Sequence, residues 1–253
     1  MYSAPRVAIR TIGELFVTLG VLLLLFLIYQ LWWSSVTADR AAQGVRDELV
    51  QQWDRELAQQ PRPSSLPSSS LPTTGPSSSD SPTPAATSSP SPQPADAIVN
   101  ATIEGKAFAL MYIPRLRSQV WGTPIVKGIG DASLARGIGY YPDSAAPGAN
   151  GNFAVAGHRT THGEPFRSID LLRAGDQVIV RTRDSWFTYK LSRDQLVRPR
   201  DTWVVDPVPR GFREGPILTM ITCHPRWAST YRWIWWGTLV DSAPANQPPE
   251  AVR

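Results

Sequence analysis

The sequence contains a single cysteine, Cys223, and only three histidines among 253 residues. One cysteine excludes a disulfide within the chain, so the thiol is either a buried apolar group or a reactive one. A metal enzyme is one alternative, because His158 and His162 are four residues apart and His224 adjoins Cys223. The general-base glutamate of an HExxH helix is missing, however, and nearby glycine and proline favour a loop. We expect no metal ion and no cofactor.

The chain also lacks a concentrated basic pattern. Only 18% of its residues are charged, and the formal net charge is +4. The arginines are scattered, and no stripe of basic and aromatic residues repeats along one predicted element. We therefore expect no nucleic-acid partner.

No charged residue occurs between Leu15 and Ala38. This apolar run is long enough to span a bilayer, and it exceeds the apolar part of a cleaved signal peptide, the competing interpretation. Arg6 and Arg10 precede the run, so the positive-inside rule predicts a cytoplasmic tail at 1–10. We predict a single-pass protein of the cell membrane with a transmembrane helix at 11–33. Its outer interface is marked by Tyr29, Trp32 and Trp33, and all later residues are extracellular.

Two segments separate the predicted span from the rest of the chain. Residues 34–60 carry apolar side chains four apart at Val45, Leu49, Trp53 and Leu57, which predicts an amphipathic stalk helix. Residues 61–99 are dominated by serine and proline, a composition that predicts a disordered linker. At about 3 Å per residue such a linker reaches on the order of 100 Å, enough to lift a domain into a thick cell wall.

The remaining residues predict one domain at 100–242, with a C-terminal tail at 243–253. Short apolar runs punctuated by glycine and proline indicate an all-β barrel or sandwich with short helical turns. The turns are expected at 131–136 and 168–172. The strands are expected at 108–113, 152–156, 177–182, 186–191, 196–198, 216–222 and 231–240.

Three residues at strand ends could carry chemistry together. Cys223 closes one apolar run, and His158 follows another. An imidazole beside a thiol favours the thiolate and can later protonate a leaving amine. Arg232 begins the next strand after a short connection from Cys223, so its guanidinium can return to the same end and stabilise an oxyanion.

These residues lie in motifs that resemble the signature of the sortases. The resemblance is carried by Ala156-Gly157-His158, by Thr219-Met220-Ile221-Thr222-Cys223 and by the later Arg232. Met220 departs from the usual leucine. Further segments resemble class E sortases, the housekeeping type of Gram-positive actinobacteria, over residues 111–240: Gly139-Tyr140-Tyr141-Pro142, Gly151-Asn152-Phe153, Gly157-His158-Arg159-Thr160-Thr161 and Thr222-Cys223-His224-Pro225.

The resemblance implies an eight-stranded β-barrel and a cysteine transpeptidase, an enzyme of the thiol-protease and hydrolase type that anchors proteins to the cell wall. Such an enzyme cleaves a C-terminal LAxTG- or LPxTG-like sorting signal between Thr and Gly through a thioacyl-enzyme. It then joins the surface protein to an amine of a peptidoglycan precursor. The resemblance makes Cys223 the nucleophile, His158 the acid and Arg232 the oxyanion donor, with Thr222 and Tyr140 as substrate-binding residues.

Three alternatives stay open. A pilus-polymerising sortase usually carries an N-terminal lid with an Asp-Pro motif, and none is evident between Ala95 and Ile125. An L,D-transpeptidase places its His and Cys in one short motif, whereas here about 65 residues separate them. A non-catalytic surface binding protein would have no need of the Cys, His and Arg together. Tyr140 and His162 stand where many class E sequences have His and Tyr respectively.

Overall fold

The computed structural model describes residues 4–59 and 96–253. Most of the predicted linker therefore lies outside the described residues, as do the first three residues of the predicted cytoplasmic tail and the side chains of Arg6, Arg10, Trp32 and Trp33. Of the three residues predicted to mark the outer membrane interface, only Tyr29 has a described side chain, and that side chain is exposed.

One long helix, α1, spans Ala4–Gln59 and contains both the predicted membrane span and the predicted stalk. The sequence has no proline between Pro5 and Pro61, so no residue in between lacks the backbone N–H that a helix requires. The window Ile12–Tyr29 has a mean hydropathy of 2.4 and none of it is buried against the protein. This part of α1 is long and apolar enough to cross a membrane.

The predicted β-barrel is confirmed as a closed barrel of eight strands in the order β1-β2-β3-β4-β7-β8-β6-β5. Short helices α2 (Asp96–Ala101) and α3 (Asp131–Leu134) accompany it, together with 3₁₀ turns at Pro114–Leu116, Ile169–Leu171, Thr202–Val205 and Glu250–Val252. The strands are β1 (Ala107–Tyr112), β2 (Trp121–Lys127), β3 (Ile138–Tyr140), β4 (Gly151–Ala156), β5 (Gln177–Arg181), β6 (Ser185–Val197), β7 (Pro216–His224) and β8 (Tyr231–Pro244).

The strand predictions needed three corrections. β2 was not predicted because Gly122 and Pro124 interrupt its apolar pattern, and β3 has only three residues. The predicted strands 186–191 and 196–198 are one strand, β6, and the exposed residues 192–195 between them belong to it. The long partner β8 pairs with β6 along this whole length, and a register shift between Leu191 and Arg193 absorbs the irregularity.

Two parallel pairings, β2 with β3 and β4 with β7, interrupt an otherwise antiparallel barrel. The pairing of β4 with β7 brings the C-terminal ends of these two strands to the same end of the barrel. The interior between the strands is filled by a cluster of apolar and aromatic side chains, whose largest fully buried members include Tyr140, Tyr189, Phe108, Phe153 and Phe166. Trp236 is also fully buried, but it packs in a separate cluster with Trp203 and Phe212 from the connection between β6 and β7.

The second half of α1 packs against the barrel wall. Val45, Leu49 and Trp53 are 8%, 5% and 4% exposed, respectively, and the last two belong to an apolar cluster with Leu110, Tyr112, Ile179 and Trp186. The Arg181 guanidinium lies 5.2 Å from the centre of the Trp53 ring, and Glu56 pairs with Arg183 at 2.8 Å. Three of the four apolar residues predicted for the stalk are thus buried against the barrel rather than left free-standing, and the side chain of the fourth, Leu57, lies outside the described residues.

Both ends of the barrel domain extend past the predicted boundaries. α2 begins within the range assigned to the linker, where Val99 is 3% exposed and Lys127 donates to its carbonyl at 2.9 Å. At the other end, the Trp186 indole donates to the carbonyl of Ala245 at 3.0 Å, within the predicted tail. The folded unit therefore includes residues on both sides of 100–242.

Candidate active site

The register of β4 and β7 brings His158 and Cys223 to neighbouring positions. Ala156 lies opposite Ile221 in the parallel pair, and the Gly157 N–H donates to the Ile221 carbonyl at 3.0 Å. His158 and Cys223 lie two residues beyond Ala156 and Ile221 on their respective chains. About 65 residues separate them in sequence, and the parallel pairing removes that separation in space.

Arg232 reaches the same place through the antiparallel pairing of β7 with β8. In this register Cys223 lies directly opposite Arg232, an arrangement that holds Cβ atoms about 5 Å apart. One terminal nitrogen of the Arg232 guanidinium donates to the carbonyls of Ser229 and Tyr231, at 3.0 and 3.1 Å. The guanidinium has five N–H groups in total, which leaves others for a substrate oxygen.

The electrostatic environment of His158 favours its neutral form. Partial burial lowers the pKa of His158, and the nearby His162 lowers it further, while the carboxylate of Asp131 acts in the opposite direction. The centres of the two imidazole rings are 5.3 Å apart. Asp131 belongs to the first turn of α3, so two separate elements adjust the charge of one imidazole.

We expect His162→Asn and Asp131→Asn to move the pKa of His158 in opposite directions. Removing the His162 charge should raise this pKa, and removing the Asp131 carboxylate should lower it. Imidazolium is lost as the pH rises through the pKa, so His162→Asn should increase the acid form at neutral pH. The measurement is an NMR titration of the His158 ring in the Cys223→Ala background, where no thiol titrates beside it. Shifts of the same sign in both variants would contradict this picture.

Thr222 and Tyr140, the two residues expected to bind substrate, are both buried. Thr222 is 2% exposed, and its hydroxyl donates to the Gly157 carbonyl at 2.7 Å, tying together the strand ends that carry Cys223 and His158. Tyr140 is 1% exposed. Its ring stacks on Phe153 with centroids 5.8 Å apart, and its hydroxyl donates to the Ser144 carbonyl. The structure therefore brings Thr222 to the site and leaves the Tyr140 ring in the core.

Tyr141, the next residue, is a site residue that the sequence reasoning missed. It is half-buried beside Ala156 and Ile221. Burial raises the pKa of Tyr141 and the positive charge of Arg232 lowers it, so the two groups are electrostatic neighbours. Side chains alternate along a strand and its immediate extension. If Tyr140 points into the core, Tyr141 must point elsewhere, and that alternation was the available signal.

The loop after His158 is held in an unusual backbone conformation. Thr161, His162 and Glu164 have φ values of 65°, 50° and 43°, which non-glycine residues rarely adopt. The Glu164 carboxylate accepts from the Thr161 N–H at 3.1 Å and pairs with Arg226 at 3.2 Å. Since Arg226 lies between β7 and β8, Glu164 connects the loop that follows His158 to the loop that follows Cys223.

In the part of the chain that the structure describes, no group of three or more His, Cys, Asp or Glu side chains could hold a metal ion. His158 and His162 approach each other, but no third such group joins them to complete a site. The absence of a metal requirement remains a prediction for activity measurements.

Comparison with known proteins agrees with this arrangement. The Sortase domain family matches residues 111–240. Sortase SrtE1 of Streptomyces coelicolor is 37% identical over 99% of this chain, which spans 62% of the length of that relative. The solved structure of sortase E from Streptomyces avermitilis is 43% identical, with a TM-score of 0.55, and covers 60% of this chain and 100% of its own. Sortase E1 of S. coelicolor, solved with a tripeptide in the active site, is 39% identical with a TM-score of 0.56, covering 60% of this chain and all of its own. The resemblance to class E is thus confirmed, and this chain belongs to the sortase family.

Proposed function

We propose that the protein is a membrane-anchored cysteine transpeptidase that attaches surface proteins to the cell wall. The observation that carries this proposal is the pair of strand registers around β7. The parallel neighbour supplies His158 and the antiparallel neighbour supplies Arg232, one on each side of Cys223. A nucleophile, a proton donor and an oxyanion donor are the three groups that acyl transfer through a thioester requires.

In the proposed first step, the Cys223 thiolate attacks the carbonyl carbon between Thr and Gly of a C-terminal LAxTG- or LPxTG-like signal. A carbon–sulfur bond forms, and Arg232 donates to the oxygen that becomes negative. The carbon–nitrogen bond then breaks, and His158 gives its proton to the departing glycine amine. The product is a thioacyl-enzyme that retains the surface protein.

In the second step an amine of a peptidoglycan precursor attacks the thioester. His158, now neutral, takes a proton from this amine, and the thiolate of Cys223 leaves. The lowered pKa of His158 suits this role, because the neutral ring is the form that accepts a proton. Water in place of the amine gives hydrolysis of the same intermediate.

Thr222 and Tyr140 are both buried, and they support the active site through their packing and hydrogen bonds. Thr222 ties β7 to Gly157 and so fixes the spacing of the strand ends. Tyr140 packs between Phe108 and Phe153 and supports the wall of the barrel from within. We propose that both residues influence substrate binding through this packing, while the half-buried Tyr141 faces the substrate side near Arg232.

The proposed location is the cell membrane, with the N-terminus in the cytoplasm and the barrel outside. The apolar window Ile12–Tyr29 supports a single span, and the arginines before it support this orientation. Surface proteins with sorting signals and lipid-linked precursor amines are both present at the outer face of such a membrane. Peptide occupancy of the active site in the related S. coelicolor sortase E1 supports a peptide substrate for this chain.

The test uses the full chain in detergent, an LAxTG or LPxTG peptide and an amine, with intact-mass analysis of the protein. We expect a thioacyl adduct on the wild type and an amine-linked product, and neither with Cys223→Ala. Because Cys223 is the only cysteine, any thiol adduct is assigned without ambiguity. Folded wild-type protein that forms no adduct with either peptide would contradict the proposed function.

A further inference from the structure

Arg159 and His224 each follow one of the two proposed catalytic residues in sequence, and they contact each other directly. The Arg159 guanidinium lies 2.8 Å from the Nδ1 atom of His224. The hydroxyl of Thr222 bonds to Gly157 on the other side of the pair. His158 and Cys223 are therefore enclosed between two side-chain contacts, one at the preceding position and one at the following position.

Arg159 is buried, and neighbouring side chains hold its guanidinium in place. It is 7% exposed, and its second terminal nitrogen donates to the Asp170 carboxylate at 3.0 Å. Its guanidinium carbon lies 5.0 Å from the centre of the Trp233 ring. A carboxylate, an imidazole and an aromatic face thus hold one planar cation, and such a geometry suits arginine better than lysine.

The contact also fixes the state of His224. A guanidinium is always protonated and can only donate, so Nδ1 of His224 must accept and the ring proton must sit on Nε2. The His224 ring packs edge-on against Trp233, with centroids 5.1 Å apart and planes at 84°. Nδ1 of His224 is thus occupied by Arg159, and His158 is the imidazole proposed to act as the acid beside Cys223.

From these contacts we infer that Arg159 is a positioning residue, which acts through His224 to hold Cys223 at the correct separation from His158. The inference rests on the proposed function, but the bond that it assigns is a property of the free protein. A misplacement of about 1 Å between reacting groups costs on the order of 100-fold in rate. Loss of the contact should therefore reduce kcat with little change in the binding of the sorting peptide.

The first test compares Arg159→Gln with Arg173→Gln in the full chain. Arg173 lies just after the 3₁₀ turn that contains Asp170, at an exposed position, and serves as the control. We expect Arg159→Gln to lower kcat about 10- to 100-fold with KM within about 2-fold of wild type, and Arg173→Gln to behave as wild type. A wild-type kcat in Arg159→Gln would overturn the inference.

A second pair of variants keeps the test valid if Arg159→Gln unfolds. The side-chain oxygen of asparagine can accept where Nδ1 accepts, so His224→Asn should retain most of the activity. His224→Leu should lose about as much as Arg159→Gln, and the double variant should lose no more than either, because both remove one shared contact. Equal loss in His224→Asn and His224→Leu, or multiplied losses in the double variant, would refute the assigned contact.

Alkylation of Cys223 by iodoacetamide provides a readout that needs no sorting peptide. We expect it to slow about 10-fold in Arg159→Gln and His224→Leu at a fixed neutral pH, because the thiol loses the aligned imidazole that accepts its proton. If the wild type is alkylated faster than the variants but forms no thioacyl adduct, the proposed function is contradicted and the positioning role is not. If wild type and variants are alkylated at equal rates, the positioning role is contradicted and the proposed function is not.

Discussion

Arg232→Gln should lower kcat for cleavage of a sorting peptide by about 10²- to 10³-fold, with a much smaller change in KM. This is the typical cost of removing one oxyanion donor. The reason is geometric: β8 holds Arg232 directly opposite Cys223, and two backbone carbonyls already orient its guanidinium. The measurement is steady-state cleavage of a fluorogenic peptide, with Arg213→Gln, at an exposed loop position, as the control.

Arg232→Lys separates charge from geometry. Lysine keeps the positive charge but lacks the planar fork that can contact both the Ser229 carbonyl and a substrate oxygen. We expect partial activity, above that of Arg232→Gln and well below that of wild type. If Arg232→Lys or Arg232→Gln turned over at the wild-type rate, Arg232 would be removed from the proposed mechanism.

The catalytic candidates could be predicted from the sequence because each lies where an apolar strand ends. Cys223 and His158 follow clear apolar runs, and Arg232 begins one. The contact between Arg159 and His224 could not be predicted in this way, because it depends on a parallel pairing between strands far apart in sequence. Sequence periodicity shows which face of a strand is buried, and it contains no information about which strand is its neighbour.

The same distinction applies to Tyr140 and its neighbour Tyr141. Because β3 has only three residues, it was not predicted as a strand. The alternation that separates Tyr140 from Tyr141 was therefore not applied, and the choice between them rested on the family resemblance. The structure assigns the two rings by packing. Tyr140 fills the core between Phe108 and Phe153, and Tyr141 is left near Arg232.

The docking of α1 changes the interpretation of the serine- and proline-rich linker. Leu49 and Trp53 are packed on the barrel before the linker begins, and Val99 of α2, at the end of the predicted linker range, is packed in the barrel core. The linker therefore connects two points of one folded unit. Its contour length does not set the distance of the active site from the membrane, since the helix itself, at 1.5 Å per residue, determines that distance.

If the docked α1 stabilises the barrel, a substitution in their interface should have a large effect on stability. Trp53→Ala should lower the free energy of unfolding by about 3 kcal/mol, the lower end of the usual cost for truncating a buried tryptophan. Trp53 is 4% exposed and also loses its contact with the Arg181 guanidinium. Urea denaturation of the full chain in detergent measures the change, and Gln51→Ala, on the exposed face of the same helix, is the matched control.

The way in which Trp53→Ala loses stability shows whether α1 and the barrel unfold as one unit. If α1 and the barrel unfold together, the urea midpoint should fall for the barrel as a whole. If α1 detaches first, amide exchange should increase at β1 and β5, whose Leu110 and Ile179 it covers. Trp53→Ala and Gln51→Ala with the same stability and the same exchange rates would mean that the helix does not stabilise the barrel, and the linker would again be free to determine the reach of the enzyme.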